Sequence, residues 1–148
     1  MLKFIGGTNY INVSIFIKKI YASSIIPIID YAKEGSKTEY DVIKYDKEII
    51  TITKHINECH LNNDIAYACK LTSYLPYNHK EYIENLVKRI IKTSHPNKYI
   101  FFDSEYTSLR DKEDYIYDKI IEKYQYVDNL HLFKTYQMYK KNSFNEIE

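Results

Sequence analysis

The stretch Tyr99-Ile100-Phe101-Phe102-Asp103-Ser104-Glu105-Tyr106-Thr107 decides how the chain is read. Four consecutive large apolar residues stop at the carboxylate of Asp103, a second carboxylate follows at Glu105, and an amphipathic helical pattern begins at once. This is the pattern of a buried strand that ends in a polar switch. Whether a site is built around Asp103 depends on what the flanking sequence places beside it.

On the carboxyl side, Ser108 and Asp111 can open a helix with Leu109, Ile116, Ile120 and Tyr124 on one face. A strand over Asn129–Phe133 and a polar, helical tail follow. On the amino side, Asn78 with Glu81 can cap a helix carrying Ile83, Leu86, Val87, Ile90 and Ile91, ended by His95-Pro96-Asn97. Before it lies the strand candidate Ile65–Thr72, which carries Lys70 inside an otherwise apolar run. Further back, Thr38 and Asp41 form a capping-box start for a helix of about six turns with Val42, Tyr45, Ile49, Ile52, Ile56 and Cys59 on its stripe. Ile25–Ile29 is a strand ending at Asp30, and Pro27 within it, lacking a ladder donor, marks a sheet edge. The first helix, capped by Asn12, carries Val13, Phe16, Ile17 and Ile20.

Strand starts near 25, 66, 99 and 130 are thus thirty to forty residues apart, with a helix in each gap. This alternation predicts an α/β fold of about four βα units, a parallel sheet covered by helices on both faces. Residues 1–148 form one domain, long enough for a single core.

Twenty-one Lys and Arg against twenty Asp and Glu leave a formal charge of +1, which gives no electrostatic drive toward nucleic acid. The seventeen tyrosines and the Ile, Lys and Asn bias carry no functional signal. Cys59 and Cys69 fit no zinc spacing, no two of the five histidines have metal-ligand spacing, and no metal is expected. The longest apolar run is far short of the roughly 20 residues of a membrane span. The opening segment, with Gly6-Gly7-Thr8-Asn9 after five residues, lacks the order of a signal peptide. A soluble, intracellular protein is expected.

In a parallel α/β sheet ligands bind at the carboxyl ends of the strands. Asp30, Lys70 and Thr72, Asp103, and Thr135 with Gln137 fall at the four ends. Asp30 and Asp103 also suit simple turn or cap roles. Lys70, between Cys69 and Leu71 in a strand, needs a partner or a water-filled pocket.

Four segments resemble, in order and spacing, successive strand-end motifs of the proline dehydrogenase family: IIPIIDYAKE (25–34), ACKLTSY (68–74), IFFDSEYT (100–107) and FKTYQMYKKN (133–142). The opening FIGG resembles the segment before that family's first strand. The resemblance implies a (βα)8 TIM-type barrel, FAD as cofactor, and oxidation of L-proline to pyrroline-5-carboxylate in proline catabolism. It implies that Lys70 holds the proline carboxylate, that Asp103 belongs to the polar network beside flavin and substrate, and that Gln137 hydrogen-bonds the isoalloxazine ring. Ser104 stands where the family usually has Ala, and Lys134 where it usually has Asn.

The segments resembled are those of strands 1 to 4, so a partial barrel is expected. The family's fifth-strand RGAY segment and its eighth-helix arginine pair have no counterpart here. A truncated form, inactive alone, is therefore expected, completed by a second-half polypeptide or by a homodimer. The alternative is a non-catalytic interaction or structural protein that reuses a degenerate half barrel.

Overall fold

The computed structural model of the chain describes residues 10–31, 36–58, 63–74, 80–103 and 107–136. Helices and strands alternate as α1 (Tyr10–Tyr21), β1 (Ile28–Asp30), α2 (Glu39–Glu58), β2 (Ile65–Lys70), α3 (Lys80–Ile91), β3 (Lys98–Asp103), α4 (Arg110–Tyr124) and β4 (Leu130–Lys134). The strands form one sheet in the order β1-β2-β3-β4, with every pairing parallel. The fold is α/β, a four-stranded parallel sheet flanked by helices, as the alternating pattern predicts.

The helices begin and bury as their sequences dictate. At the start of α2 the backbone N–H of Asp41 donates to Thr38 Oγ1 at 3.2 Å, and the N–H of Thr38 donates to Asp41 Oδ2 at 3.0 Å. This is the reciprocal capping box, with Asp in place of Glu. Val42, Tyr45, Ile49 and Ile56 are buried along α2, and Ile83, Leu86, Val87 and Ile90 along α3. The predicted Asn12 cap is not one: α1 starts two residues earlier and Asn12 lies exposed in its first turn. Likewise α4 is entered from a 3-10 turn, Thr107–Leu109, and takes Leu109 rather than Ser108 as its cap residue.

Two strands are shorter than their apolar runs. Pairing of β1 starts where the carbonyl of Pro27 accepts the Ala66 N–H at 3.2 Å, so Ile25 and Ile26 stay outside the sheet and exposed. The proline ring has no N–H to extend the ladder backward. β2 ends at Lys70, and Leu71–Ser73 form a 3-10 turn closed by the Tyr74 N–H on the Leu71 carbonyl at 2.9 Å.

Coverage of the sheet differs from the expectation of helices on both faces. The core strand residues Ile29, Tyr67, Cys69, Ile100, Phe102 and Leu130 all project from one face, where the described helices pack. From the other face project Ile28, Asp30, Tyr99, Phe101, His131 and Phe133, all partly or fully exposed. β3 therefore alternates between buried and half-buried residues. Its aromatic side chains on this open face pack against the neighbouring strand: the Tyr99 ring stacks on His131 at 4.8 Å, and Phe101 on Phe133 at 4.7 Å. A run of four apolar residues thus serves two different surroundings.

The rim at the amino ends of the strands is tied by hydrogen bonds. Asp64 Oδ1 accepts the Asn97 side-chain amide at 2.9 Å, and the buried Lys98 ammonium donates to the His95 carbonyl at 2.6 Å. No helix among the described residues is long and apolar enough to cross a membrane.

Candidate site at the carboxyl ends of the strands

β2 and β3 run in parallel with Lys70 directly opposite Asp103, each the last residue of its strand. Strand alternation places both on the open face, beyond Ala68 and Phe101. Lys70 Nζ lies 3.3 Å from Asp103 Oδ2, an ion pair in which the lysine side chain is 8% and the aspartate side chain 37% exposed. The strand lysine thus has the partner its burial requires. Sequence placed both residues at carboxyl strand ends and the resemblance assigned them to one pocket; the register sets them directly opposite each other.

The other predicted site residues are placed less closely. Asp30, exposed, ends β1 on the same face, one row back along the sheet and opposite Ala68. Thr72 is buried in the 3-10 turn after Lys70. Thr135 is exposed just after β4 and donates its N–H to the Phe102 carbonyl at 3.1 Å. Gln137 lies outside the described residues, as do Cys59 and Ser104.

Two clusters next to this rim had no distinct sequence signal. Behind β2, on the helix side, runs a chain of tyrosine rings: Tyr31 to Tyr45 at 5.4 Å, Tyr45 to Tyr74 at 5.1 Å, and Tyr74 to Tyr82 at 6.3 Å. Burial pushes the phenols of Tyr45 and Tyr74 well above their ordinary range, and the buried Cys69 thiol up to about 12. These groups stay protonated at neutral pH, so they brace the strand that carries Lys70 without adding charge. One tyrosine among seventeen gives no hint of such a chain, since only the fold stacks them.

The second cluster joins β4 to α4. Lys134 Nζ is 2.6 Å from Asp114 Oδ1 and lies over the Tyr117 and Tyr136 rings at 5.3 and 5.4 Å, while Arg110 reaches Asp114 Oδ2 at 3.5 Å. Lys134, opposite Phe102 in the register, points to the helix side and away from Lys70. The i,i+4 spacing of Arg110 and Asp114 was the one readable trace of it.

An ammonium and a carboxylate 3.3 Å apart on a rim open to solvent can bind a small zwitterion, carboxylate toward Lys70 and ammonium toward Asp103. Neither group is redox-active, so oxidation at this rim requires a bound cofactor. The rings of Tyr99, Phe101, His131 and Phe133 stack on one another across β3 and β4 and form an aromatic patch on the same face of the sheet. Among the described residues, no three His, Cys, Asp or Glu side chains assemble into a metal set. No protein-family model matches the chain, and no curated protein matches it either.

Proposed function

We propose that this chain is a flavin-binding domain of the proline dehydrogenase kind, with the Lys70–Asp103 rim as its amino-acid site. The observation that carries the reading is the cross-strand pairing of the two residues which the sequence resemblance assigns to one pocket. L-Proline is a zwitterion at neutral pH, and the pair presents one charge to each of its ends. FAD, when bound, supplies the hydride acceptor. The chain's own part is to bind and orient: Lys70 holds the carboxylate, Asp103 faces the substrate amine, and Gln137 contacts the isoalloxazine ring. The aromatic patch on the open face supplies apolar contact to the ring system. Because Lys70 is already engaged by Asp103, a substrate carboxylate has to share the ammonium, which favours weak binding until further cations join the site.

The reading is tested by binding, since turnover by the chain alone is not expected. Titration with FAD is expected to quench flavin fluorescence, and saturating L-proline to raise the melting temperature by mass action. Lys70→Ala is expected to abolish the proline shift and leave the flavin signal. A colourless protein that gains no flavin absorption on addition of FAD overturns the proposal.

A non-catalytic interaction protein is the second reading, favoured by Ile25, Ile26 and Ile28, which stand 58%, 46% and 59% exposed around the buried Pro27. It predicts no ligand effect at Lys70.

A further inference from the structure

We propose that the chain assembles as a two-fold dimer in which β4 of each copy pairs in parallel with β1 of the other, closing two four-stranded sheets around the open face. The proposal concerns assembly and does not rest on the flavin reading.

β1 and β4 are the two edges of the sheet; β1 pairs only with β2, and β4 only with β3, among the described residues. Each edge presents backbone donors and acceptors along one side. Because every strand runs the same way, a two-fold axis along the strand direction keeps the polarity of a second copy unchanged. It then brings β4 against the second copy's β1 at two equivalent seams, and one rotation closes the sheet. Pairing like edges instead, β1 with β1 or β4 with β4, gives an antiparallel seam and leaves the open face in water.

The side chains agree with the closed arrangement. Ile28, 59% exposed on β1, and Phe133, 41% exposed on β4, lie at the two edges of the open face, with Tyr99 and Phe101 between them. Closure removes all four from water on a surface that no described helix covers. The seam residues on the open face, Ile28 of β1 and His131 and Phe133 of β4, bring no like charges together. The formal charge of +1 brings no self-repulsion. Outside the sheet, α1 packs on α2 and shows Ile11 and Ile15, 56% and 51% exposed, where the second copy's α4 would arrive. Two seams with a shared interior have the anatomy of an obligate interface, roughly 2,000 Å2 or more in total.

Closure also bears on the site. Two Lys70–Asp103 pairs, one from each copy, then stand on the same rim and face each other across the enclosed centre. A ligand entering this rim meets residues of both copies.

Light scattering on the eluted 148-residue chain is expected to give twice 17.8 kDa, and the same mass in high salt. The geometry is read by cross-linking in a Cys59→Ser, Cys69→Ala background. One preparation carries Ile28→Cys and another His131→Cys, residues of one row on the open face. After mixing through mild denaturant, a short bis-maleimide is expected to link Ile28→Cys chains to His131→Cys chains and to give no dimer band in either preparation alone. A monomer mass overturns the proposal, and links within a single preparation overturn the closed arrangement. If the cysteine-free background does not fold, Phe133→Lys in the native chain serves instead: it is expected to convert the dimer to monomer, and an unchanged dimer overturns the seam.

Discussion

Removing the Asp103 carboxylate is expected to destabilise the fold more than removing the Lys70 ammonium, although the two form one pair. At 3.3 Å the charges attract by about 5 kcal/mol at an effective dielectric of 20 and by about 1.3 kcal/mol in bulk water. The carboxylate is 37% exposed and the ammonium side chain only 8%, so the pair sits between these limits and a net coupling of about 1–3 kcal/mol is expected. The costs of the two single substitutions differ because the two ions differ in burial. Asp103→Ala leaves an ammonium in a buried setting without its carboxylate, at a cost of about 2–4 kcal/mol. Lys70→Met keeps the stem packed and leaves a carboxylate that water can reach, at about 1 kcal/mol. In the double variant the penalty for the buried ammonium that has lost its carboxylate vanishes, so it should lie close to Lys70→Met. Urea unfolding of the four proteins, followed by circular dichroism at equal m-values, gives each term. A coupling below about 0.5 kcal/mol, or a Lys70→Met cost equal to that of Asp103→Ala, would refute the reasoning that ammonium burial governs the pair.

Three further outcomes follow from the same structure. Asp46 is buried on α2, and burial raises its pKa against the opposing pull of Arg89, so the fold favours the neutral acid. Its contribution is therefore fully present below the ordinary carboxylate pKa and is lost as pH rises through the raised value; Asp46→Asn should stabilise the protein at pH 7, with the gain in melting temperature shrinking toward pH 4. Phe102→Ala, on the helix side of β3, should cost about 3–5 kcal/mol, whereas Phe101→Ala on the open face should cost well under half of that in the monomeric state, both by urea midpoint. Thr38→Ala removes one half of the α2 capping box and should cost about 1 kcal/mol, or roughly 3 °C of melting temperature by calorimetry; no shift would mean the box carries no stability.

What the sequence made legible is the period of each segment. Three-and-four spacing located α2 and α3 and their buried faces, and the spacing of apolar runs located four parallel strands, because both signals depend only on neighbours along the chain. Strand ends were less legible: Pro27 and the turn at Leu71 shorten strands that continuous apolar sequence had extended, since hydrogen-bonding partners thirty residues away decide where pairing stops. The open face was missed because Tyr99 and Phe101 look as buried as Ile100 and Phe102 when only residue type is read. For the site, Lys70 announced itself as a misplaced charge and Asp103 as a strand-end carboxylate. Their meeting across the ladder is a property of register, which a single sequence does not encode locally. The tyrosine chain was invisible for the same reason, and of the Lys134–Asp114 cluster only the i,i+4 spacing of Arg110 and Asp114 could be read.

The strand order also says how such a chain can come into being. Each strand hydrogen-bonds to the next one in sequence, so the sheet can grow by accretion, one βα unit docking on the edge left by its predecessor. As the chain leaves the ribosome, β1 and α2 wait only for β2, and β2 only for β3; no early segment has to be held for a late one. Loop closure is then a series of similar, moderate steps in place of one long one. During synthesis the growing edge always lies at the newest strand, which makes β4 the natural place for another strand to be received.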